Sequence, residues 1–511
     1  MNMRTLLDKL LGSADWGIHP DDRKRPAADA PIRVMPAPDR LYLPLSQHSG
    51  APARPVVLVG QKVKKGQCLA EAQGMVSAPV HASTSGTVVA ISEVTAPHPS
   101  GLTMPAIVLE PDGLDEWIAL QGCDDPFALS PAELNKKVAA AGVVGMGGGT
   151  FPSAVKLTGA NRAGIHTVII NGGECEPYLS CDDVLMRTQA AGVVDGVRLI
   201  VYASGAKQAL IGIEDNKPEA IAAMQAAAAG FAEVRVCPVP ARFPMGFDKQ
   251  MVKTLTGIEV PADGRSFDAG VLVNNVGTAL AVSQAVREGR PLVSRLVTVS
   301  GACVSAPGNV DVPLGALAQD VLAFVGGLKG DGIGLARRVI GGPMMGSQVQ
   351  HWRVPVMKGV SGILALDREE ARDEEAHDCI RCGSCVEACP MGLLPLDMAA
   401  HIRKEALGEA VDLGLKDCIA CGCCAYVCPS SIPLVQHFTY AKNELSARDR
   451  ATLRMESTKK LAQAREARLA EEAREKAEAA AKRKAERAAA AAAAAAKTAA
   501  SAEASPQGEP T

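Results

Sequence analysis

Two copies of one cysteine ladder near the C-terminal end constrain this chain more than any other feature. The first is Cys379, Cys382, Cys385 and Cys389, followed by Pro390. The second is Cys418, Cys421, Cys424 and Cys428, followed by Pro429. Each reads C-x2-C-x2-C-x3-C-P, a spacing that bacterial iron–sulfur sites use. Three thiolates two residues apart wrap one corner of a cubane, because the short steps force a tight loop. The fourth cysteine opens the next helix and points the other way, so with two ladders it ligates the other cluster. One [4Fe–4S] cluster is therefore assigned to Cys379, Cys382, Cys385 and Cys428, and the other to Cys418, Cys421, Cys424 and Cys389. Zinc is the competing reading, but it favours two separated pairs over a third cysteine two residues on and a fourth before proline. Cys423, inside the second ladder, breaks no spacing and reads as a spectator.

Eight thiolates held in ladders need a reducing compartment, which argues against a disulfide scaffold despite fifteen cysteines in 511 residues. That length suggests roughly three to four domains. A formal net charge of −3 gives no electrostatic case for nucleic acid. The stretch from Met1 to Gly12 mixes charges with short apolar runs and does not read as a signal peptide. No segment approaches the roughly 18 apolar residues of a membrane span, so work at a membrane would go through partners.

The fold class expected is multidomain α/β with small β domains. Residues 1–35 read as an irregular arm. Residues 36–122 read as β-structure, with strands over Val56 to Val59, Val76 to Val80 and Thr87 to Ile91. That pattern resembles the barrel-sandwich hybrid of lipoyl and biotin carriers. The hairpin Glu71-Ala72-Gln73-Gly74-Met75 has no lysine to take such a cofactor, so a packing or docking role is expected. Residues 123–292 alternate helix and strand in a Rossmann-like manner. Thr167 to Ile170, Gln208 to Ile213, Val234 to Val239 and Val271 to Val273 are the strands. Asp182 to Ala203 is a helix stopped by Gly205, and Lys217-Pro218-Glu219 opens another. Such alternation implies a parallel sheet with ligands at its strand C-termini. Residues 293–366 return to short strands, Leu296 to Ser300 and Val310 to Val312, as in a β-grasp module. Residues 367–445 are the ferredoxin-like 2[4Fe–4S] domain. Residues 446–511 are rich in Ala, Lys and Glu without an apolar stripe, which predicts a solvated single helix or a disordered tail.

A second chemistry lies in the α/β region. The run Gly145-Met146-Gly147-Gly148-Gly149-Thr150-Phe151-Pro152 lets backbone amides approach a phosphate or a flat ring, and Lys156 follows as a phosphate partner. Asn171-Gly172-Gly173-Glu174-Cys175-Glu176-Pro177 and Asn274-Asn275-Val276-Gly277-Thr278 each end a strand, where side chains enter the ligand crevice. Capping and turn chemistry explains any one of these motifs, but three together beside iron–sulfur ladders fit it poorly. Each cluster moves one electron and a nicotinamide moves two, and a flavin converts between them. A non-covalent FMN is the economical inference, although the residues do not distinguish FMN from FAD.

Gly145 to Lys156, Asn171 to Pro177 and Asn274 to Thr278 resemble the FMN and NADH motifs of the flavin-carrying subunit of respiratory complex I. The wider set resembles the RnfC family, one component of the Rnf (Rsx) electron transport complex. It comprises Gly17-Ile18-His19-Pro20, Pro44-Leu45-Ser46-Gln47-His48, Ser77-Ala78-Pro79-Val80-His81, Gly212-Ile213-Glu214-Asp215-Asn216-Lys217 and the double ladder. The resemblance implies a β-grasp module of the soluble-ligand-binding kind. It implies a peripheral subunit on the cytoplasmic face of the bacterial inner membrane, with other subunits of the Rnf/Rsx complex as partners, an iron–sulfur subunit and integral membrane subunits among them. There electrons pass between NAD(H) and ferredoxin, coupled to Na+ or H+ movement. It further implies that Gly145, Gly147, Gly148, Lys156, Asn171, Glu174, Asn274, Asn275 and Thr278 contact FMN, and that Phe151 and Glu176 lie near the nicotinamide nucleotide. Two departures stand out. The family usually has Ala-Gly in place of Gly149-Thr150, and Gly-Gly-Glu-Lys-Gln in place of Gly246-Phe247-Asp248-Lys249-Gln250. Phe247 adds bulk beside the expected site, and Asp248 supplies the acidic group one methylene short.

The leading expectation is an enzyme subunit passing electrons from NAD(H) through FMN to two clusters, with no side chain acting as acid or base. The alternatives are a flavin and iron–sulfur subunit of a soluble NAD-dependent hydrogenase or dehydrogenase, and an electron-transfer docking subunit without flavin.

Overall fold

The computed structural model describes residues 16–261, 264–372 and 374–502. The first part of the expected arm lies outside those residues. The remainder is well anchored: Ile18 pairs with Phe243, and Arg33–Val34 runs parallel to Gly308–Pro313 at the edge of a six-stranded sheet.

The barrel-sandwich region has two antiparallel sheets of four and three strands, dominated by the long pair Gly86–Thr95 and Thr103–Pro111. Two expected strands are corrected here. Val56 to Val59 is not a strand; pairing stops at Arg54–Pro55, and Val56, Leu58 and Val59 are exposed while Val57 is buried. Val56 N–H still donates to Leu69 O at 2.9 Å, but the chain then leaves its neighbour and turns at Val59-Gly60. Val76 to Val80 contributes only Val80–His81.

The α/β region contains four parallel strands: β1 (Thr167–Gly172), β2 (Gln208–Glu214), β3 (Val234–Val239) and β4 (Val271–Asn275). Their order is β3-β2-β1-β4. The chain leaves β1 for β2 on one side and reaches β4 on the other, so the crevice opens at the carboxyl ends of β1 and β4. The buried, β-branched Val168, Ile169 and Ile170 suit a strand covered on both faces. The single helix expected over Asp182 to Ala203 is two, Cys181–Thr188 and Ala190–Ser204, broken at Gln189 with φ −125°. The break redirects the second helix, whose Gly196 leaves space against the backbone of Ala279.

The six-stranded sheet, apart from Arg33–Val34, is built from residues 294–367, and a buried polar junction joins it to the two regions before it. Lys358 is completely buried, and its Nζ donates to Pro79 O at 2.8 Å and Gly142 O at 2.7 Å. Both ladders lie in short loops and helices after residue 376. The chain divides into two compact units, residues 1–438 and 439–511. The tail residues are part of one helix, Leu434–Ala502, exposed throughout from residue 446 to 500. Among the described residues no helix is long and apolar enough to cross a membrane.

Burial lowers the Lys358 pKa to about 7, with Cys68 opposing it. Neighbouring His81 is held down to about 3 by burial and by Lys358, so it stays neutral over the relevant range. Between about pH 7 and the ordinary value of 10.5 the unfolded chain binds a proton here that the folded chain does not. Stability should therefore rise with pH across that window. Denaturant midpoints of Lys358→Met, measured beside the parent, should lack this rise; a parallel pH dependence of the two proteins would contradict it.

Candidate functional site

Backbone polarity organises the glycine loop. The carbonyls at its two ends are drawn back: Gly145 O accepts from Thr150 N–H at 3.1 Å, Phe151 O from Gly145 N–H at 2.9 Å, and Met146 O from the Arg295 guanidinium at 3.1 Å. Gly149 O accepts from the Ser49 hydroxyl at 2.8 Å, and Thr150 O from Ser49 N–H at 3.1 Å. Among the described residues none accepts from the amides of Gly147, Gly148 and Gly149, and these three glycines are exposed. A Cβ at Gly147 would touch Asn275, whereas none would meet anything at Gly148 or Gly149. Gly148 also has φ +99°, which a side chain would oppose. The loop thus presents a row of donors to open space, the arrangement that favours an anion or a flavin edge.

The strand ends converge on this loop. Thr278 accepts from Met146 N–H at 2.9 Å, and Asn275 Nδ2 donates to Asp182 at 2.6 Å. Asn274 is buried and its Nδ2 has no partner; Asp182 Oδ1 is likewise enclosed and unmatched. Unmatched buried polar atoms at a crevice are what a bound polar group would satisfy. Lys156 donates to Val273 O, and burial lowers its pKa against the opposing pull of Asp248. Asp248 Oδ1 accepts from Lys249 N–H at 2.8 Å at the start of the helix Asp248–Thr256. Asn171 ties the crevice floor to the neighbouring loop, with Nδ2 donating to Gly246 O at 2.8 Å and Oδ1 accepting from Gly173 N–H at 2.9 Å. Phe151 is partly buried at the end of the glycine loop.

Two carboxylates are engaged differently from the expectation. Glu174 turns to the next helix and accepts from Asp182 N–H at 2.9 Å and Asp183 N–H at 3.3 Å. Glu176 accepts from Met344 N–H at 2.9 Å and Met345 N–H at 2.8 Å, in the loop of the six-stranded region. Burial raises its pKa to about 7, even though both amides favour the charged form. Lys24, from the arm, fixes the same loop by donating to Glu174 O at 2.8 Å, Glu176 O at 2.9 Å and Leu179 O at 2.5 Å. Sequence reasoning missed Lys24, Ser49, Asp182 and Arg295. The arm and Pro44-to-His48 motifs were the nearest signals for the first two.

The two ladders share one backbone form. Arg381 and Ala420, at matching places, have φ +57° and +53°, and Gly383 and Gly422 follow at +85° and +89°. These left-handed residues turn the thiols toward one corner. Amides then donate to sulfur, Arg381 N–H to Cys379 at 3.3 Å and Ala420 N–H to Cys418 at 3.4 Å. Cys389 of the first ladder lines one pocket with Cys418, Cys421 and Cys424 of the second. In the first ladder, burial and then the charge of Cys382 push the Cys385 thiol up, with a smaller push from Cys428. The surroundings differ sharply. Cys379 and Cys382 are exposed beside an exposed Ile380, while Cys421 and Cys424 are buried. Cys423 is fully buried and donates to Phe243 O at 3.8 Å; it packs with Ile18, Phe243, Ala388 and Cys421, and Cys175 and Met344 border the cluster.

Comparison with known proteins agrees with this layout. The family model described as the Nuo51 FMN-binding domain matches residues 138–284, and the RnfC barrel sandwich hybrid domain matches residues 13–114. An SLBB domain matches residues 296–348, and two 4Fe-4S dicluster domains match residues 378–432 and 351–394. The chain is 48% identical over 84% of its length to the C component of the ion-translocating oxidoreductase complex of Rhodobacter capsulatus, covering 83% of that protein. It is 45% identical over 89% of its length to the protein of the same name from Pseudomonas aeruginosa, covering 58% of that longer protein. It is 43% identical over 85% of its length to the C component of the proton-translocating ferredoxin:NAD(+) oxidoreductase complex of Clostridium ljungdahlii, covering 94% of it.

Crossed ligation predicts a specific pattern of iron loss after anaerobic reconstitution. Cys389→Ser combined with Cys418→Ser should retain about four irons per chain, because both act on one cluster. Cys389→Ser combined with Cys379→Ser should leave neither cluster intact. The reverse pattern would establish uncrossed ligation.

Proposed function

The chain belongs to the RnfC family of ion-translocating oxidoreductase complexes, and from that premise we propose that it passes electrons between NAD(H) and ferredoxin on the cytoplasmic face of the bacterial inner membrane. The observation that carries this reading is the glycine loop, with the carbonyls at its ends tied back and three amides open, together with the unmatched amide of Asn274 at the end of β4. FMN, when bound there, exchanges a hydride with the nicotinamide and single electrons with the clusters.

The chain's own residues bind and orient. The amides of Gly147, Gly148 and Gly149 face the phosphate or ring edge, and Asn274 and Asn171 serve the polar edge of the flavin. Lys156 adds a cation that burial opposes and the charge of Asp248 favours. Thr278 and Asn275 hold the loop and the helix start in register. Glu174 acts mainly on the helix that carries Asp182. Glu176 acts through the Met344–Met345 loop, which reaches Gly422 of the second ladder. A nucleotide contact by Glu176 would use the acceptor directions its two amides leave over.

The two cluster sites are then used in order. The ladder at Cys418, Cys421 and Cys424 packs against the flavin region, so it exchanges electrons with the flavin. The ladder at Cys379, Cys382 and Cys385 is open to solvent beside Ile380, Val386 and Leu394, so it faces a redox partner within the complex. Other subunits, an iron–sulfur subunit and integral membrane subunits among them, supply that partner and the ion movement.

In the assembled complex, Cys382→Ser should leave NADH bleaching of the flavin intact and cut ferredoxin turnover at least tenfold. Cys421→Ser should also block electrons from leaving the flavin. Asn274→Ala and Lys156→Ala should weaken FMN by about one to two decades, the effect of losing one partner in a desolvated site. Stopped-flow absorbance and flavin titration measure these. Parent-like ferredoxin turnover in Cys382→Ser would reject the exposed ladder as the exit.

A further inference from the structure

The barrel-sandwich hairpin Glu71 to Met75 lacks the lysine of a carrier, yet the domain reaches the flavin loop through Ser49. Ser49 makes two hydrogen bonds to that loop, its hydroxyl to Gly149 O at 2.8 Å and its N–H to Thr150 O at 3.1 Å. Peptide carbonyls carry partial negative charge. If these two turned into the crevice they would repel a flavin phosphate. Ser49 holds them toward its own domain.

The loop has a reason to need holding. Thr150 is β-branched and sits at φ +44°, a conformation such residues rarely adopt. Its methyl lies over Gly359, where any Cβ would come within 2.4 Å of Thr150 Cγ2. Ser49 is itself braced on both sides. His48 Nε2 is 3.0 Å from the Ser77 hydroxyl and 2.9 Å from Ala51 O. Gly50, at φ +105°, passes so close to Val76 O that a Cβ would stand 2.0 Å from it. Gln47 accepts from Lys358 N–H at 3.3 Å, and Lys358 precedes Gly359. The segment from Gln47 to Gly50 and the segment Lys358-Gly359 therefore close on Thr150 from two modules.

We propose that Ser49 is a positioning residue for the flavin loop, supplied by the barrel-sandwich domain, which anchors the C-terminal end of the loop and keeps the carbonyls of Gly149 and Thr150 out of the crevice. The proposal rests on FMN occupying this loop. It gives the domain a role in cofactor binding through Ser49 and gives the Gly149-Thr150 departure a physical setting. A strained threonine is tolerated because Ser49 fixes its carbonyl and Gly359 accommodates its methyl.

The test is titration of FMN into full-length apoprotein, followed by quenching of flavin fluorescence, with thermal unfolding measured alongside. Ser49→Ala removes the hydroxyl bond and should weaken FMN roughly three- to tenfold. Ser49→Thr keeps the hydroxyl and should restore parent affinity. Thr150→Gly removes the left-handed strain, so Ser49→Ala should cost less in that background. Ser83→Ala is the control: Ser83 donates to Leu314 O at 2.7 Å, a buried bond between domains away from the loop. It should leave FMN affinity unchanged even where it lowers the unfolding temperature. An unchanged affinity in Ser49→Ala would overturn the proposal. So would equal weakening by Ser83→Ala, which would mean general loosening of the domain. A parent protein that binds no FMN would overturn the flavin reading and the proposal together.

Discussion

Loops buried where modules meet must satisfy their carbonyl oxygens without water, and this chain meets that requirement with side chains sent from a neighbouring module. Lys358 serves Pro79 and Gly142, Lys24 serves Glu174, Glu176 and Leu179, and Arg295 serves Met146 and Val360. Each joins segments far apart in sequence. Met146 O, held by Arg295, shares its peptide with the open amide of Gly147. The cofactor-facing backbone is thus shaped from behind.

The same logic separates two ladders of identical spacing. Their local turns are equivalent, down to the left-handed residues after the first and second thiols. What differs is what lies against them. Ile18, Phe243 and Met344 close over the second ladder, while the first is left open around Ile380. Cluster potentials respond to hydrogen bonds and solvent exposure. An internal repeat placed in two environments therefore provides two sites of different solvent access, the feature to which such potentials respond.

The parts legible in the sequence were those written in local spacing. Ladder cysteines two and three residues apart, the β-branched run Thr167 to Ile170 and the glycine run after Val144 each announce themselves within a few residues. Val56 to Val59 misled because an apolar, β-branched run looks the same whether or not a neighbouring strand accepts its ladder. The break at Gln189 was hidden because the residues on both sides favour helix, and packing of Gly196 against Ala279 set the second direction. Ser49, Lys24 and Arg295 were invisible for a stronger reason. Their partners lie about one hundred residues or more away along the chain, and no periodicity encodes such a pairing.

Glu176 links the end of β1 to the Met344–Met345 loop. Its position past a buried strand suggested a side chain for the nucleotide. Its carboxylate instead binds the amides of Met344 and Met345, and Met344 approaches Gly422 between the second and third thiols of the buried ladder. The loop that ends β1 is therefore joined to the cluster site through two backbone amides and one methionine. Electron transfer is sensitive to distance, and a link made of backbone and enclosed groups has little freedom to vary it. Lys24 anchors the other side of the loop by three carbonyls, so the end of β1 is held between the arm and the cluster region. The end of β1 and the buried ladder are therefore packed together through this loop, and their spacing is a property of that packing.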